Sequence, residues 1–235
     1  MINILPMNTI KIALIMLVSI FTLESSHAQD WANLKRFQKE NAALTIPRAE
    51  EHRIVFMGNS ITENWLHLRP EFFSGKPYVN RGISGQTTPQ ILLRFRQDVI
   101  DLDASVVVIL AGINDIAQNT GPSTIKMISD NIISMTELAK ANDITVVLCS
   151  VLPAFDFQWR PGLEPAEKVI ELNAILKSYA NNQNLVYIDY FSSMVNDFHG
   201  LKEELGSDGV HPNEAGYSIM ETIFEKAISK VFIKK

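Results

Sequence analysis

Cysteine is almost absent from this sequence, since Cys149 is the only one in 235 residues. An internal disulfide is therefore excluded, and the hydrophobic core alone has to stabilise the fold. Cys149 ends the apolar run 144–149, which is typical of a buried strand. We therefore interpret it as a core thiol and not as a nucleophile.

Basic residues are also scarce, with 21 Lys and Arg against 26 Asp and Glu and a net charge of −5. Phosphate binding needs a basic face, so this balance argues against nucleic acid as a partner. The sequence contains no block of like charges and no linker that would divide two domains. With 46% hydrophobic and 20% charged residues, the composition is that of one globular domain.

No apolar run reaches the length of about 20 residues that a membrane-spanning helix needs. A shorter one, residues 12–23, follows Lys11 and is itself followed by small residues that end at Ala28. We therefore predict a secretory signal peptide over residues 1–28 and a periplasmic or secreted mature domain over residues 29–235. An uncleaved N-terminal anchor is the alternative.

Short apolar runs alternate with helical stripes through the rest of the sequence. Five runs are apolar on both faces and predict buried parallel strands, at residues 53–57, 78–80, 105–110, 144–151 and 185–188. Apolar stripes at helical spacing predict helices, at residues 31–44, 91–99, 125–139, 169–179 and 219–231. This alternation predicts an α/β fold, a three-layer α/β/α sandwich with right-handed crossovers.

Ligands of such a sheet bind at the carboxyl ends of its strands, and three of these ends carry suggestive residues. Ser60 follows the first strand, where a helix should begin and where backbone N–H groups can receive an anion. Gly82 and Gly85 follow the second strand and let backbone N–H groups approach a ligand. Asn114 follows the third, and its amide can donate to an oxyanion. Taken singly, Ser60 is better explained as an N-cap and the glycines as a turn, and Asn114 could form an Asx turn.

A carboxylate and a histidine lie three positions apart near the C-terminus, as Asp208 and His211. His211 can accept a proton near neutral pH, and Asp208 can accept a hydrogen bond from the other ring nitrogen. A metal pair is the alternative, but no His or Cys cluster lies at ligand spacing, so we predict no metal. Together with Ser60 and Asn114, the pair completes the set of groups that acyl transfer requires.

Four segments in order resemble the blocks of the SGNH/GDSL hydrolase family, namely residues 58–60, 82–85, 112–115 and 208–212. The resemblance covers nearly all of the mature chain. Asn59 stands where the family usually has aspartate, which removes one charge beside the nucleophile. Because asparagine keeps the side-chain shape and much of the hydrogen bonding, we expect activity to persist.

The resemblance implies a flavodoxin-like five-stranded parallel sheet and a serine ester hydrolase without a cofactor. By position, Ser60 would be the nucleophile, His211 the general base and Asp208 the third member of a triad. The backbone N–H groups of Ser60 and Gly85 and the side chain of Asn114 would form the oxyanion hole.

The chain resembles most the platelet-activating-factor acetylhydrolase-like and carbohydrate-esterase branches, so we expect removal of a short acyl group, chiefly acetyl, from a saccharide. Arg81, Gly82 and Trp65 are the candidates for substrate binding, and the rings of Trp159 and Phe157 could also face a sugar.

Three alternatives have to be weighed at this point. The chain could be a lysophospholipase or aryl esterase that acts on lipid or simple esters. It could be a glycan-binding module on an esterase scaffold, which is not an enzyme. A phosphohydrolase would need a metal carboxylate cluster or a phosphate-binding lysine, and neither lies at the expected places.

Overall fold

The computed structural model describes residues 30–48 and 50–233. The chain divides into two units, Met1–Trp31 and Ala32–Lys235, and only residues 30 and 31 of the first are described. The predicted signal peptide over residues 1–28 therefore lies outside the described residues. Within the described ranges, no helix has both the length and the apolar character that crossing a membrane requires.

Five parallel strands form one sheet in the order β2-β1-β3-β4-β5. They are β1 (Ile54–Gly58), β2 (Tyr78–Gly82), β3 (Val106–Leu110), β4 (Thr145–Cys149) and β5 (Val186–Ile188). Ile54 of β1 lies opposite Tyr78 of β2 and Val106 of β3. The chain adds β2 on one side of β1 and then β3 on the other side, so the strand order reverses between β1 and β3. Ligands of such sheets bind at the carboxyl ends of the strands at this point.

Helices cover both faces of this sheet. In chain order they are α1 (Gln38–Ala43), α2 (Ser60–Leu68), α3 (Pro70–Phe73), α4 (Thr88–Asp98), α5 (Ile113–Ile116), α6 (Ile125–Lys140), α7 (Pro165–Asn182), α8 (Phe191–Met194) and α9 (Glu214–Ile233). On one face α2 meets α9, where the Tyr217 hydroxyl donates to the Ile61 carbonyl at 2.8 Å. On the other, α4 packs against α6 and α6 against α7. The predicted three-layer sandwich is confirmed.

Local sequence explains most of these elements. Every residue of β1 and β3 is buried, as strands covered on both faces must be. In α6 the buried residues include Ile128, Ile132 and Met135, which lie on one helical face. A capping box between Thr87 and Gln90 starts α4.

The first predicted helix is shorter than expected. Only Gln38–Ala43 of the predicted range 31–44 is α-helical, and turns precede it. Asn33 has a φ of 55°, a left-handed conformation that a right-handed helix does not accommodate. Phe37 is buried but Leu34 and Ala42 are exposed, so the apolar residues of this range do not form one buried helical face.

Candidate active site

Ser60 lies at the junction of β1 and α2. It is the first residue of α2, so its backbone N–H is among those at the helix start without an intrahelical acceptor. Asn59 is the N-cap, and its Oδ1 accepts a hydrogen bond from the Ile61 N–H at 3.0 Å. Asn59 is only 1% exposed, so its neutral amide caps the helix without burying a charge.

His211 and Asp208 meet Ser60 although they lie far away in the sequence. Ser60 Oγ is 2.9 Å from His211 Nε2, across a separation of 151 positions. His211 Nδ1 is 2.7 Å from Asp208 Oδ2. Asp208 Oδ1 accepts hydrogen bonds from the backbone N–H groups of Val210 at 3.0 Å and His211 at 2.8 Å. One carboxylate therefore holds both the imidazole ring and the loop that carries it.

The electrostatics of Asp208 fix where the imidazole proton resides. Burial acts to raise the pKa of Asp208, but hydrogen bonds from His211 and Val210 outweigh it, and the pKa lies below its ordinary value of 3.8. The carboxylate is therefore ionised at neutral pH and acts only as an acceptor. His211 Nδ1 must then carry the proton, which leaves the lone pair of Nε2 facing the hydroxyl of Ser60.

The loop between β2 and α4 docks onto the start of α2. The backbone N–H of Ile83 donates to the Gly58 carbonyl at 3.2 Å, and that of Ser84 donates to Glu63 Oε2 at 2.8 Å. Gly85, with a φ of +76°, adopts a conformation that side chains disfavour. The loop that carries Gly85 therefore lies along the helix turn that carries Ser60.

Asn114 joins the same loop from the end of β3. Its Nδ2 donates to the backbone carbonyl of Gln86 at 3.0 Å, one residue after Gly85. An amide nitrogen has two N–H groups, and the contacts given by the described residues engage one of them. The second has no hydrogen-bond partner among the described residues. Ser60, Gly85 and Asn114 thus lie on adjoining segments at the carboxyl ends of β1, β2 and β3.

Arg81 does not face a substrate, which corrects the expectation from sequence. Its side chain is buried, and Nε donates to Asn41 Oδ1 at 2.8 Å. The guanidinium lies 4.7 Å from the centroid of the Phe37 ring. Burial lowers the pKa of Arg81 to about 10. Through these contacts Arg81 packs α1 and the preceding turn against the end of β2.

Trp65 and Gly82 are also structural, contrary to their prediction as substrate-binding residues. Trp65 is only 2% exposed, because its ring stacks on Phe72 and on Tyr217 in the layer beside α9. A Cβ on Gly82 would lie 2.2 Å from the backbone nitrogen of Glu63, so glycine is needed for β2 to approach α2. Neither residue is accessible to a ligand.

Among the other aromatic candidates, Trp159 reaches the site and Phe157 does not. Phe157 is fully buried, whereas Trp159 is 48% exposed. The centroid of the Trp159 ring lies 6.3 Å from that of His211.

A buried polar network beneath the site was missed by sequence reasoning. Arg94 on α4 is 0% exposed, and it donates to the Gly58 carbonyl at 2.9 Å, to Gln86 Oε1 at 2.6 Å and to Asp98 Oδ2 at 3.0 Å. One guanidinium thus connects the end of β1 to the loop between β2 and α4, residues 83–87, which we call the glycine loop. The sequence held a signal, because Arg94 and Asp98 are four residues apart on the helix face that carries Ile91.

Asp115 was likewise not singled out for a role. Its two carboxylate oxygens accept from the backbone N–H of Thr88 at 3.0 and 2.9 Å, and Oδ1 also accepts from the Thr88 hydroxyl at 2.6 Å. Asp115 therefore caps α4 from the end of β3. Burial raises its pKa to about 6, although the hydrogen bonds from Thr88 act in the opposite direction.

No three His, Cys, Asp or Glu side chains are grouped so as to hold a metal ion in the part of the chain that the structure describes.

Comparison with known proteins identifies the family. The model of the GDSL-like lipase/acylhydrolase family matches residues 56–219. A Bacteroides fragilis protein assigned as an acylhydrolase is 48% identical, with a TM-score of 0.85, over 86% of this chain and 99% of its own. A GDSL-like lipase from Bacteroides thetaiotaomicron is also 48% identical, with a TM-score of 0.83, over 85% of this chain and 98% of its own.

More distant structures share the fold. An acetyl xylan esterase is 18% identical, with a TM-score of 0.62, over 75% of this chain and 99% of its own. None of the curated proteins matches the chain. Because the family model spans well over half of the sequence and two structures of about the same size share nearly half of their residues with it, the chain belongs to the GDSL-like lipase/acylhydrolase family, also called SGNH/GDSL hydrolases, and is a hydrolase that acts on esters.

Proposed function

We propose that this chain is a serine esterase that removes short acyl groups, chiefly acetyl, from a saccharide through Ser60, His211 and Asp208. The observation that carries the catalytic part is the continuous contact from Ser60 Oγ to His211 Nε2 at 2.9 Å and from His211 Nδ1 to Asp208 Oδ2 at 2.7 Å. A hydroxyl, a base and an orienting carboxylate in this order can activate a serine for acyl transfer.

In the first step, Ser60 Oγ attacks the carbonyl carbon of the ester while His211 Nε2 takes the hydroxyl proton. The carbonyl oxygen becomes an oxyanion, and the N–H groups of Ser60, Gly85 and Asn114 are the donors that we assign to it. The ionised carboxylate of Asp208 stabilises the imidazolium that forms at the same time.

In the second step, the bond between the carbonyl carbon and the alcohol oxygen breaks, and His211 Nε2 returns its proton to the leaving alcohol. An acyl ester on Ser60 remains. His211 then takes a proton from a water molecule, whose oxygen attacks the acyl carbon. The bond to Ser60 Oγ breaks, the serine regains its proton from His211, and the carboxylic acid leaves. No cofactor takes part in these steps.

Two observations support a saccharide as the alcohol part of the substrate. The first is that the same fold, in a protein 18% identical to this chain, belongs to an acetyl xylan esterase. The second is the half-exposed ring of Trp159 beside His211, since an aromatic face is a suitable surface for a sugar ring.

The catalytic assignment is tested with Ser60→Ala, measured on p-nitrophenyl acetate. We expect kcat/KM to fall by about 10⁶, as in other enzymes that lose a triad serine, with an unchanged circular dichroism spectrum. The matched control is Ser193→Ala, which removes an exposed hydroxyl on α8 and should leave the rate as it is. Near-normal activity of a folded Ser60→Ala protein would refute the assignment.

The acyl preference is tested separately with the p-nitrophenyl esters of acetate, butyrate and octanoate, which share one leaving group. A short-chain esterase should show its highest kcat/KM on the acetate. An octanoate rate equal to or above the acetate rate would favour the lipid or aryl esterase instead.

A further inference from the structure

Trp159 lies in the segment that follows β4, at the rim of the site. Its ring is 48% exposed. The ring centroid lies 6.3 Å from that of His211, with the two planes inclined by 34°. In the described residues, Trp159 is the one aromatic side chain with a ring contact to His211.

The surroundings hold this ring in place. Behind Trp159 lies the ring of Phe157, which is fully buried, at a centroid distance of 5.2 Å. The next residue, Arg160, donates through one nitrogen to the carbonyls of Ala117 at 2.9 Å and Gln118 at 2.7 Å. These bonds connect the segment after β4 to the chain after α5. A ligand that binds to the exposed face of Trp159 therefore meets a surface that is already ordered, which lowers the entropic cost of binding.

The direction of proton transfer decides which part of the ester borders Trp159. His211 Nε2 gives its proton to the leaving alcohol, so the alcohol oxygen must lie within hydrogen-bond reach of this ring. The oxyanion, in contrast, faces the donors on the glycine loop and on Asn114. Since Trp159 lies beside the histidine ring, it is placed to border the alcohol part of the substrate.

We propose that Trp159 forms a leaving-group subsite, on which the pyranose ring that carries the ester stacks. This inference rests on the proposed esterase function and adds the residue that recognises the sugar. The apolar C–H face of a pyranose matches the flat, uncharged surface of an indole, so the two can stack and exclude water. A small alkyl alcohol covers little of this ring and gains little from it.

The test compares two acetate esters that differ only in the alcohol, ethyl acetate and a monoacetylated methyl xyloside. For Trp159→Ala we expect kcat/KM on the acetylated xyloside to fall about tenfold, mainly through KM, which corresponds to about 1.4 kcal/mol. On ethyl acetate the fall should be less than about threefold, because little stacking is lost. p-Nitrophenyl acetate is unsuitable as the reference, since its aromatic alcohol stacks on the same ring.

Two further variants sharpen the comparison. Trp159→Phe retains a ring and should recover most of the xyloside rate. Phe198→Ala is the matched control, because Phe198 is 74% exposed and makes no ring contact with His211 among the described residues. Phe198→Ala should leave kcat/KM unchanged on both esters.

Equal losses of kcat/KM on both esters would refute the subsite and would indicate that Trp159 instead supports the position of His211. Unchanged rates on both would overturn it as well. If the unmodified protein hydrolyses ethyl acetate but not the acetylated xyloside, the subsite and the saccharide substrate both fail, while the esterase function stands. If it hydrolyses neither ester nor p-nitrophenyl acetate, the proposed function itself fails.

Discussion

At the residue scale, Asp208 holds the imidazole ring of His211 and the loop that carries it. Its Oδ2 faces the ring Nδ1, while its Oδ1 accepts from two backbone N–H groups of the same loop. The pKa of Asp208 lies below its ordinary value, so these contacts stabilise the folded state at neutral pH. This stabilisation is lost as the pH falls through the folded-state pKa.

Asp208→Asn tests this role, because the amide keeps the shape of the side chain but can donate a hydrogen bond to Nδ1. The imidazole then carries its proton on Nε2 and cannot accept the proton of Ser60. We expect kcat on p-nitrophenyl acetate to fall by about 10⁴ with little change in KM, as when other triads lose the correct tautomer. A loss of less than about tenfold would show that Asp208 does not set the tautomer.

At the scale of secondary-structure elements, the start of α4 has a local capping box and, in addition, an acceptor from another part of the chain. Thr88 at the start of this helix donates both its backbone N–H and its hydroxyl to Asp115, which follows β3. The same turn carries Asn114, so the helix start and the proposed oxyanion donor are connected. Burial raises the pKa of Asp115 to about 6.

This pKa predicts a pH-dependent stability. The folded state holds the Asp115 proton more tightly than the unfolded chain, where the pKa is near 3.8, so stability from this group falls as the pH rises from about 4 to about 6. Asp115→Asn removes the titration. We therefore compare the unfolding free energy of the unmodified protein with that of the variant. The difference, unmodified minus variant, should decrease by up to roughly 3 kcal/mol between pH 4 and pH 7.

Urea denaturation of both proteins across this range measures the difference directly. If this difference in unfolding free energy instead increases with rising pH, the hydrogen bonds from Thr88 outweigh burial and lower the pKa of Asp115.

At the scale of the whole molecule, the network around Arg94 connects parts of the chain that local structure keeps apart. Arg94 joins α4 to the end of β1 and to the glycine loop, and its partner Asp98 also accepts from Asn41 on α1 at 2.8 Å. Both members of the Arg94–Asp98 ion pair are buried, at 0% and 1% exposure.

Arg94→Met should therefore lower the free energy of unfolding by about 3–5 kcal/mol, because it leaves the carboxylate of Asp98 buried without its countercharge. The double variant Arg94→Met with Asp98→Leu removes both charges and should recover much of this loss. Chemical denaturation of the two proteins tests the idea. If the double variant is no more stable than the single one, the loss comes from the hydrogen bonds to Gly58 and Gln86.

Sequence patterns were sufficient for the order of the elements, because apolar runs and helical stripes reflect short-range periodicity. Every predicted strand has a counterpart in the sheet, and the stripe at 125–139 corresponds to Ile125–Lys140. The helix predicted over 31–44 was overestimated, since an apolar pattern also arises from turns that pack on the core. The order of strands across the sheet is non-local, and it entered through the family resemblance.

The sequence by itself determined the family and the α/β layering, and it supplied the residues that we propose for acyl transfer, because these depend on motifs and local spacing. Tertiary structure alone decided which polar and aromatic side chains are accessible. Trp65 and Arg81 are buried and Trp159 is not, although all three follow strands or lie close to their ends. The contact of Ser60 with His211 across 151 positions likewise depends on how the elements pack. Burial and long-range contact depend on how layers pack, and no local pattern encodes the packing of distant segments.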